Sequence, residues 1–353
     1  MTEHPLPMSE NQRANQPLLS VRRLRTSFVL DEGIVKAVDD VSFDVHPGQV
    51  LGIVGESGCG KSATVKSILR IIEPPGRIVG GEIRFRRPNG AEGGTFTDLA
   101  QLDARGKEMR AIRGGEIALI PQEPMAAFSP VHTIGNQLIE AVRLHGRASK
   151  AQARNTVIAR LHEVGVPSPE QCMDRYSWEL SGGLRQRAII GMALSCNPSL
   201  LIADEPTTAI DVTTQAQVLQ LLRNLQREHE TAFIFITHDL GVIAQIADFV
   251  VVMYLGKVME AGPIDRIFHN PHHPYTRALL ASISTLHTEN RSRLPTIEGS
   301  IPHPFNRPAG CPFWERCTEV MRGTCDRSEP RLQAIGDRHS VSCFKYEDRA
   351  DEC

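Results

Sequence analysis

Short apolar runs alternate along this chain with longer segments whose apolar residues have helical spacing. The apolar runs occupy residues 49–54, 117–120, 200–204, 232–236 and 249–254. Runs of this length without polar interruption are typical of strands buried in a parallel sheet. Because helical segments separate them, the pattern predicts a mainly parallel sheet covered by helices on both faces.

The helical segments and the remaining strands can be placed from the same pattern. Helical spacing occurs at residues 61–72, 134–165, 187–195 and 213–228. The sequence also predicts a strand at residues 38–45, which ends at a Pro-Gly turn, and a hairpin strand at 257–260. Residues 86–116 are polar and rich in glycine, so we expect a surface excursion there.

Changes in texture divide the chain into three parts. Residues 1–18 are polar with three prolines, which predicts a disordered leader without the apolar stretch of a secretory signal. Residues 19–265 carry the alternating strands and helices, with a helical block at about 125–185 inserted among them. Residues 266–353 form a C-terminal extension rich in Pro, His and Arg, in which residues 291–310 predict a linker.

Composition limits the classes of function. The 353 residues are 41% apolar and 23% charged, which is ordinary for a globular protein. A net charge of −2 gives no basic excess, so charge does not indicate a nucleic-acid partner. No apolar run approaches the length that spans a bilayer.

A phosphate-binding loop follows the strand at 49–54. Residues 55–62 fit G-x-x-x-x-G-K-[ST], and the helix at 61–72 supplies the expected context. Backbone amides of such a loop surround phosphates, Lys61 adds charge to the β- and γ-phosphates, and Ser62 is a candidate Mg²⁺ ligand. The candidate nucleotide-binding residues are Gly55, Glu56, Ser57, Gly58, Cys59, Gly60, Lys61, Ser62 and Ala63. Cys59 is interpreted as a small filler of the loop.

The apolar run at 200–204 ends in two carboxylates, Asp204 and Glu205. A buried strand that presents two acids can organise a metal ion with the first and activate water with the second. Together with the phosphate-binding loop, this pair predicts hydrolysis of a nucleoside triphosphate.

Three further signals stand in a fixed order around these two. Gln122 follows the short strand at 117–120, Leu-Ser-Gly-Gly at 180–183 lies 17 residues before the acidic strand, and Thr-His-Asp at 237–239 follows the next apolar run. In this order the motifs resemble those of the ATP-binding subunits of ABC transporters. The resemblance implies a P-loop NTPase core of ABC type with an antiparallel β subdomain, a helical subdomain insertion and a small Cys-rich C-terminal extension.

The resemblance also assigns roles to residues. Glu205 would orient and deprotonate the attacking water, Asp204 and Gln122 would hold Mg²⁺ and water, and His238 would contact the γ-phosphate. Two such domains pair head to tail in the family, so that Ser181, Gly182 and Gly183 would serve the partner's nucleotide. Backbone amides at a helix start suit that task.

Two residues complete the nucleotide site implied by the resemblance. Asp211 lies in the loop that follows the acidic strand. Phe28 is the candidate aromatic residue that stacks on adenine, with a core phenylalanine before a strand as the alternative.

The segment at 270–280, with its His-Pro-Tyr core, and the late cysteines resemble the oligopeptide/dipeptide importer subgroup, over roughly residues 20–345. This implies an ATPase that powers binding-protein-dependent import of short peptides from the cytoplasmic face of the inner membrane. The implied partners are a sister ATPase or a second copy, two permease subunits and an extracytoplasmic binding protein. Residues 126–130 depart from the usual continuation, which leaves an oligosaccharide, nickel or another solute open.

Four of the eight cysteines cluster in the extension with spacing C-x5-C-x7-C-x17-C. Four soft thiolates favour Zn²⁺ or an iron–sulfur cluster, but the spacing matches neither tight zinc knuckles nor the bacterial ferredoxin pattern. The resemblance implies a [4Fe-4S] cluster, with zinc or no metal as alternatives. The candidate ligands are Cys311, Cys317, Cys325 and Cys343.

Two other classes of protein share some of these features. A soluble ABC ATPase of DNA repair or translation would carry long coiled coils or two ATPase domains, which this sequence lacks. A redox sensor would use the cysteine cluster as its functional centre, and its ATPase rate would depend on potential.

Overall fold

The computed structural model describes residues 16–87, 96–146, 148–207, 212–283 and 297–349. Asp211, predicted to line the nucleotide site, and residues 1–15 of the predicted leader lie outside these ranges. The strands are β1 (Leu19–Leu30), β2 (Gly33–Val45), β3 (Val50–Val54), β4 (Gly76–Arg86), β5 (Phe96–Asp98), β6 (Ile117–Ile120), β7 (Leu200–Asp204), β8 (Ala232–Thr237), β9 (Phe249–Tyr254), β10 (Lys257–Pro263), β11 (Gln333–Gly336) and β12 (His339–Val341).

The helices among the described residues cover both faces of the main sheet. They are α1 (Lys61–Ile68), α2 (Lys107–Ile112), α3 (Pro124–Ala127), α4 (Ile134–His145), α5 (Lys150–Glu163), α6 (Pro169–Cys172), α7 (Gly182–Leu194), α8 (Val212–His229), α9 (Leu240–Ile246), α10 (Ile264–His269) and α11 (Pro274–Ala281).

The main sheet has the strand order β11-β12-β10-β9-β3-β8-β7-β6. Strands β9, β3, β8, β7 and β6 are parallel to one another, and β10, β12 and β11 continue the sheet in antiparallel pairings. A second sheet, β2-β1-β4-β5, is antiparallel throughout. The predicted α/β core with an antiparallel subdomain is therefore confirmed.

The central strand β3 shows how the sheet separates two cores. Leu51 and Ile53 join the cluster formed with the antiparallel sheet, whereas Val50 and Val54 join the cluster formed with the helical region. Successive side chains of a strand point to opposite faces, so one apolar run fills both cores. Strand β12 extends the same sheet at the edge strand β10, which attaches the C-terminal extension to the ATPase core.

The helical region is bounded by caps that the sequence supplies. Thr133 Oγ1 accepts a hydrogen bond from the amide of Asn136 at the start of α4. Ser149 and Gln152 form a capping box at the start of α5, and Gly146 ends α4. The segment predicted as continuous helical spacing over 134–165 is thus two helices.

Two other predictions differ from the structure. The helix after the phosphate-binding loop ends at Ile68 rather than at residue 72, and Arg70 takes a left-handed φ of 54°. The predicted surface excursion at 86–116 is wrong for its second half, because Met109 and Ile112 of α2 are fully buried. These two apolar side chains pack into the core and fix the position of an otherwise polar segment.

The antiparallel sheet begins before the predicted domain boundary. Leu18, assigned to the leader from the sequence, is buried, and its amide donates to the carbonyl oxygen of Val45 at 2.7 Å. Strand β1 itself was not predicted. Its polar residues alternate irregularly with apolar ones because bulges interrupt its pairing with β2.

Candidate nucleotide-binding and hydrolysis site

The phosphate-binding loop connects β3 to α1, and Gly60 caps the helix with φ of 103°. A Cβ atom at Gly60 would lie 2.2 Å from the carbonyl oxygen of Ala37, so only glycine fits this close approach to β2. Ser57 and Gly58 form the exposed part of the loop, whereas the side chain of Cys59 is buried beneath it. Burial raises the pKa of the Cys59 thiol, which agrees with a filler role rather than a reactive one.

Lys61 lies at the centre of the loop with 5% of its surface exposed. Its Nζ donates to the carbonyl oxygens of Gly55 at 2.7 Å and of Glu56 at 3.1 Å. The ammonium group is thus held within the loop, at the start of a helix whose free amides favour anions. Ala63 follows in the first turn of α1 and is partly buried.

Ser62 and Asp204 meet between α1 and the end of β7. The Ser62 hydroxyl donates to Asp204 Oδ1 at 3.1 Å. Burial raises the pKa of the Asp204 carboxyl, and the hydrogen bond from Ser62 offsets part of that effect. A divalent cation would relieve the burial cost of this carboxylate, so the pair fits the oxygen ligands that Mg²⁺ prefers.

Glu205 stands directly after β7 in an unusual backbone conformation. Its φ is 46°, and its amide donates to the carbonyl oxygen of Ile236 at 2.9 Å. The Gln122 Nε2 group donates to Glu205 Oε2 at 3.3 Å, and His238 Nδ1 lies 3.3 Å from Glu205 Oε1. The structure therefore brings all three predicted catalytic side chains together, with a non-glycine residue in a sparsely populated region of backbone space.

In the Leu-Ser-Gly-Gly segment Ser181 and Gly182 are exposed, whereas Leu180 is buried. Ser181 is the N-cap of α7, and its Oγ accepts a hydrogen bond from the Leu184 amide at 3.4 Å. A Cβ atom at Gly182 would meet no other atom within 4 Å, and one at Gly183 would lie 3.4 Å from Thr214 Cγ2. This helix start is open to solvent.

A buried contact ties α7 to the acidic strand. The fully buried Gln186 donates through Nε2 to the carbonyl oxygen of Pro206 at 2.8 Å. Pro206 follows Glu205 directly in the chain. A buried hydrogen bond thus links α7 to the residue that follows Glu205.

Phe28 lies in β1 opposite Val35 of β2 and Gly76 of β4. Its side chain is half-buried, and a Cβ atom at Gly76 would lie 2.6 Å from the ring. One edge of the ring is therefore packed against the sheet and the rest is accessible. The structure leaves both interpretations of Phe28, adenine platform and core residue, compatible with its position.

The four late cysteines gather in the extension. The amide of Cys311 donates to the carbonyl oxygen of Cys325 at 2.8 Å. Burial, together with smaller effects of the thiols of Cys325, Cys317 and Cys343, raises the pKa of Cys311 to about 12. Each of these four sulfurs is therefore close enough for the others' charge to matter.

The spacing of these sulfurs discriminates between metals. No three of the four, all of them in the described part of the extension, lie within 4.8 Å of one another. Four thiolates around one zinc ion at about 2.3 Å would lie only about 3.8 Å apart. The sulfur positions in the described extension therefore differ from those of four thiolates bound to one zinc ion.

The extension also contacts the phosphate-binding loop, which the sequence did not predict. Arg316 pairs with Glu56 at 2.8 Å, and the hydroxyl of Tyr275 accepts a hydrogen bond from the Glu56 amide at 3.0 Å. Tyr275 belongs to the His-Pro-Tyr segment that resembles the importer subgroup, and the sequence assigns it no function. For Arg316 the sequence gives no signal beyond its place before Cys317.

Comparisons with known proteins identify the class of this chain. Residues 38–208 match the ABC transporter family, and residues 259–325 match the C-terminal region of oligopeptide/dipeptide transporters. The chain belongs to the ABC transporter ATPases. It is accordingly an ATP-hydrolysing enzyme, and ATP with Mg²⁺ is the substrate expected of this family.

Full-length relatives place it more narrowly, among the ATP-binding subunits that carry the oligopeptide/dipeptide extension. A probable peptide ABC transporter ATP-binding protein of Sinorhizobium fredii is 45% identical, over 96% of this chain and 97% of the relative. The dipeptide transport ATP-binding protein DppD of Bacillus subtilis is also 45% identical, over 95% of this chain and 97% of the relative.

Solved structures share the fold. An ATP-binding cassette in a dimeric post-hydrolysis state with ADP and Pi has a TM-score of 0.60 at 23% identity, covering 70% of this chain and 98% of the other. CbiO1 of Clostridium perfringens has a TM-score of 0.57 at 23% identity, covering 72% of this chain and 92% of the other. Among the described residues, the structure has no helix that is both long and apolar enough to cross a bilayer.

Proposed function

We propose that this chain is the ATP-hydrolysing subunit of a binding-protein-dependent importer of oligopeptides or dipeptides. The proposal rests on the geometry of the site. Glu205 contacts Gln122 and His238, next to the Ser62–Asp204 pair, at one edge of the sheet. The peptide assignment is supported by the extension at 259–325 and by relatives named for peptide and dipeptide transport.

The residues of the site divide the work of hydrolysis. The amides of the loop at 55–62 and the Lys61 ammonium bind the phosphates, and Ser62 and Asp204 hold Mg²⁺. Glu205 accepts a proton from the attacking water, which Gln122 helps to orient. His238 donates to the γ-phosphate from the exposed side, where its side chain is 58% exposed.

A second ATPase subunit completes each site. Ser181, Gly182 and Gly183 form the start of α7, and among the described residues a Cβ atom at Gly182 would meet no atom within 4 Å apart from its chain neighbours and its own helix backbone. In a head-to-tail pair these amides contact the γ-phosphate bound by the partner's loop. The partner is a sister subunit or a second copy of this chain.

The permease subunits dock on the helical region that follows Gln122. A groove of about 630 Å³ opens between the segment after α3 and the surfaces of α4 and α5. Leu144 at its rim is 73% exposed and nearby Val131 is 72% exposed, which provides apolar contact area for a cytoplasmic helix of a permease. The chain would thereby act at the cytoplasmic face of the inner membrane, with an extracytoplasmic binding protein delivering the solute.

The four extension cysteines hold a [4Fe-4S] cluster in this proposal. Their mutual proximity and a separation too wide for one zinc ion support it. Such a cluster, when bound, supplies four strong iron–thiolate bonds and a one-electron redox centre. Its role is structural or regulatory, because the catalytic side chains lie elsewhere in the fold.

Reconstituted transport tests the functional proposal. The chain is assembled with the permease subunits and binding protein of its transporter, in vesicles that contain ATP. Labelled di- to pentapeptides should accumulate with wild-type protein and not with Glu205→Gln. Uptake of an oligosaccharide or nickel in place of peptides would overturn the peptide assignment while leaving the ATPase assignment intact.

Metal analysis tests the cluster. Anaerobically purified protein should be brown and contain about four irons per chain. Cys343→Ser should lose the colour, whereas Cys196→Ser, a thiol outside the quartet, should keep it. Colourless wild-type protein with one zinc per chain would replace the cluster with a zinc site.

A further inference from the structure

Arg316 reaches from the C-terminal extension into the ATPase domain. Its side chain is 5% exposed, so its charge is almost fully removed from water. The guanidinium has five N–H donors, and every one faces an acceptor. The acceptors are both carboxylate oxygens of Glu56, the hydroxyl of Tyr254, and the carbonyl oxygens of Ile297 and Glu298.

Glu56 is the second residue of the phosphate-binding loop. Its carboxylate accepts from Arg316 at 2.8 and 3.1 Å, the two-point geometry in which charged hydrogen bonds are strongest. Without its hydrogen bonds to Arg316, the Glu56 carboxylate would remain beside the site where a triphosphate binds. Like charges repel strongly where water is partly excluded, so a free Glu56 would oppose nucleotide binding.

Tyr275 holds the backbone of the same residue. Its hydroxyl accepts a hydrogen bond from the Glu56 amide at 3.0 Å. The ring is fully buried, 4.8 Å from the Tyr254 ring and 5.1 Å from the Phe313 ring, so the hydroxyl has little freedom. The other side of the loop rests on β2 and on the β9–β10 turn, where Gly256 donates to the Cys59 carbonyl oxygen at 2.8 Å.

We infer that Arg316 and Tyr275 are positioning residues for the phosphate-binding loop, so that the C-terminal extension sets how tightly this chain binds ATP. The inference rests on the proposed assignment of residues 55–62 to the nucleotide. Neither residue contacts the reacting atoms. Both act through Glu56, one by neutralising and directing its carboxylate and the other by fixing its amide.

The competing explanation is that Arg316 only fastens the extension to the core. Arg307 provides a matched comparison, because it also fastens the extension and its side chain is 14% exposed. Arg307 pairs with Asp39 of β2 at 2.8 Å and with Glu329 at 3.4 Å, and neither of these ion pairs involves Glu56 or Tyr275. Loss of general docking and loss of loop positioning can therefore be separated.

The experiment measures ATP hydrolysis and ATP binding by the assembled transporter carrying each variant. Arg316→Ala should raise the KM for ATP about tenfold, through a released carboxylate, while kcat changes less than about twofold. Tyr275→Phe removes only the hydroxyl and should raise KM about threefold at an unchanged melting temperature. Arg307→Ala should lower the melting temperature and leave KM at the wild-type value.

Charge removal supplies the decisive arm. In the Arg316→Ala background, Glu56→Gln should bring KM back toward wild type, because the unpaired negative charge is gone. Equal KM values for Arg316→Ala and Arg307→Ala, or no recovery in the double variant, would reduce Arg316 to a fastening residue. Absence of ATP binding by the wild-type complex would instead sink the nucleotide-site assignment itself.

Discussion

The phosphate-binding loop and the Leu-Ser-Gly-Gly segment carry the same kind of chemistry, backbone amides at a helix start, in opposite surroundings. The base of the loop is held within the chain, because Lys61 is 5% exposed and Glu56 is held by two residues of the extension, while Ser57 and Gly58 are exposed. Ser181 and Gly182 are exposed, with open space where a side chain would be. The phosphate-binding loop therefore has its supporting contacts within the chain, whereas the start of α7 is an exposed surface.

This difference has a physical basis. Dipoles stabilise developing charge best when they are already oriented and water is excluded. The loop meets the first condition within this chain, so we expect the chain to bind nucleotide before any partner arrives. In the proposed pair, the Leu-Ser-Gly-Gly segment is shielded from water only when the other subunit covers it, so hydrolysis should depend on closure of the pair.

The largest expected effect comes from substitution of Glu205, the proposed base. Glu205→Gln keeps the contacts to Gln122 and His238 but cannot accept a proton, so turnover should fall at least ~100-fold while ATP binding persists. Phosphate release and equilibrium ATP binding by the assembled complex measure the two quantities. Glu108→Gln, at a surface ion pair with Arg87, is the matched control. Near-normal hydrolysis by Glu205→Gln would remove the base from the mechanism.

The next largest effect is expected at the exposed start of α7. Ser181→Arg puts a bulky cation at the exposed start of α7 and should lower hydrolysis at the partner's site about tenfold or more, with this chain's own nucleotide binding intact. Nucleotide trapped on each ATPase subunit after turnover reports which site failed.

If two copies of this chain pair, mixing offers a sharper form of the test. Ser181→Arg and Glu205→Gln chains should each be inactive alone, and their mixture should regain part of the activity, since one of its two sites has an intact loop side and an intact signature. A mixture without activity would place the signature in the same site as its own loop.

The sequence was sufficient where function depends on neighbours in the chain. The phosphate-binding loop, the two acids after β7 and the motif order could be predicted because each role is encoded within a few residues. The Arg316–Glu56 pair spans 260 positions, and no local pattern indicates it. The burial of α2 was missed for a related reason: Met109 and Ile112 are too few to create a periodicity in a polar segment.

A third prediction concerns a titratable support beneath the loop. His273 Nδ1 accepts the amide of Tyr275 at 3.0 Å at the start of α11, and the His273 amide donates to Glu260. Burial lowers the pKa of His273 from 6.5 to about 4, against an opposing effect of the Glu260 carboxylate, while Arg277 lowers it further. Between these values the unfolded chain binds more protons than the folded one, so stability is full above pH 6.5 and falls as the pH drops toward 4.

The free energy of unfolding should accordingly fall by about 2 kcal/mol from pH 7 to pH 5 through this group. His273→Asn keeps a capping acceptor without the proton, so urea unfolding at the two pH values should show a smaller difference. His162→Asn, at an exposed position on α5, should retain the wild-type difference. An unchanged pH dependence in His273→Asn would assign the effect to other groups.

The smallest expected effect concerns Phe28 and tests whether β1 is part of the nucleotide site. Phe28 packs one edge of its ring against Gly76, and its half-buried face could carry adenine. Base–aromatic stacking is worth about 1–3 kcal/mol, so Phe28→Ala should raise the KM for ATP at least about fivefold and Phe28→Tyr should leave it nearly unchanged. The melting temperature of both variants must be measured alongside, because loss of ring packing alone would lower stability without changing KM. That second outcome would make Phe28 a core residue and would place the base-binding surface outside β1.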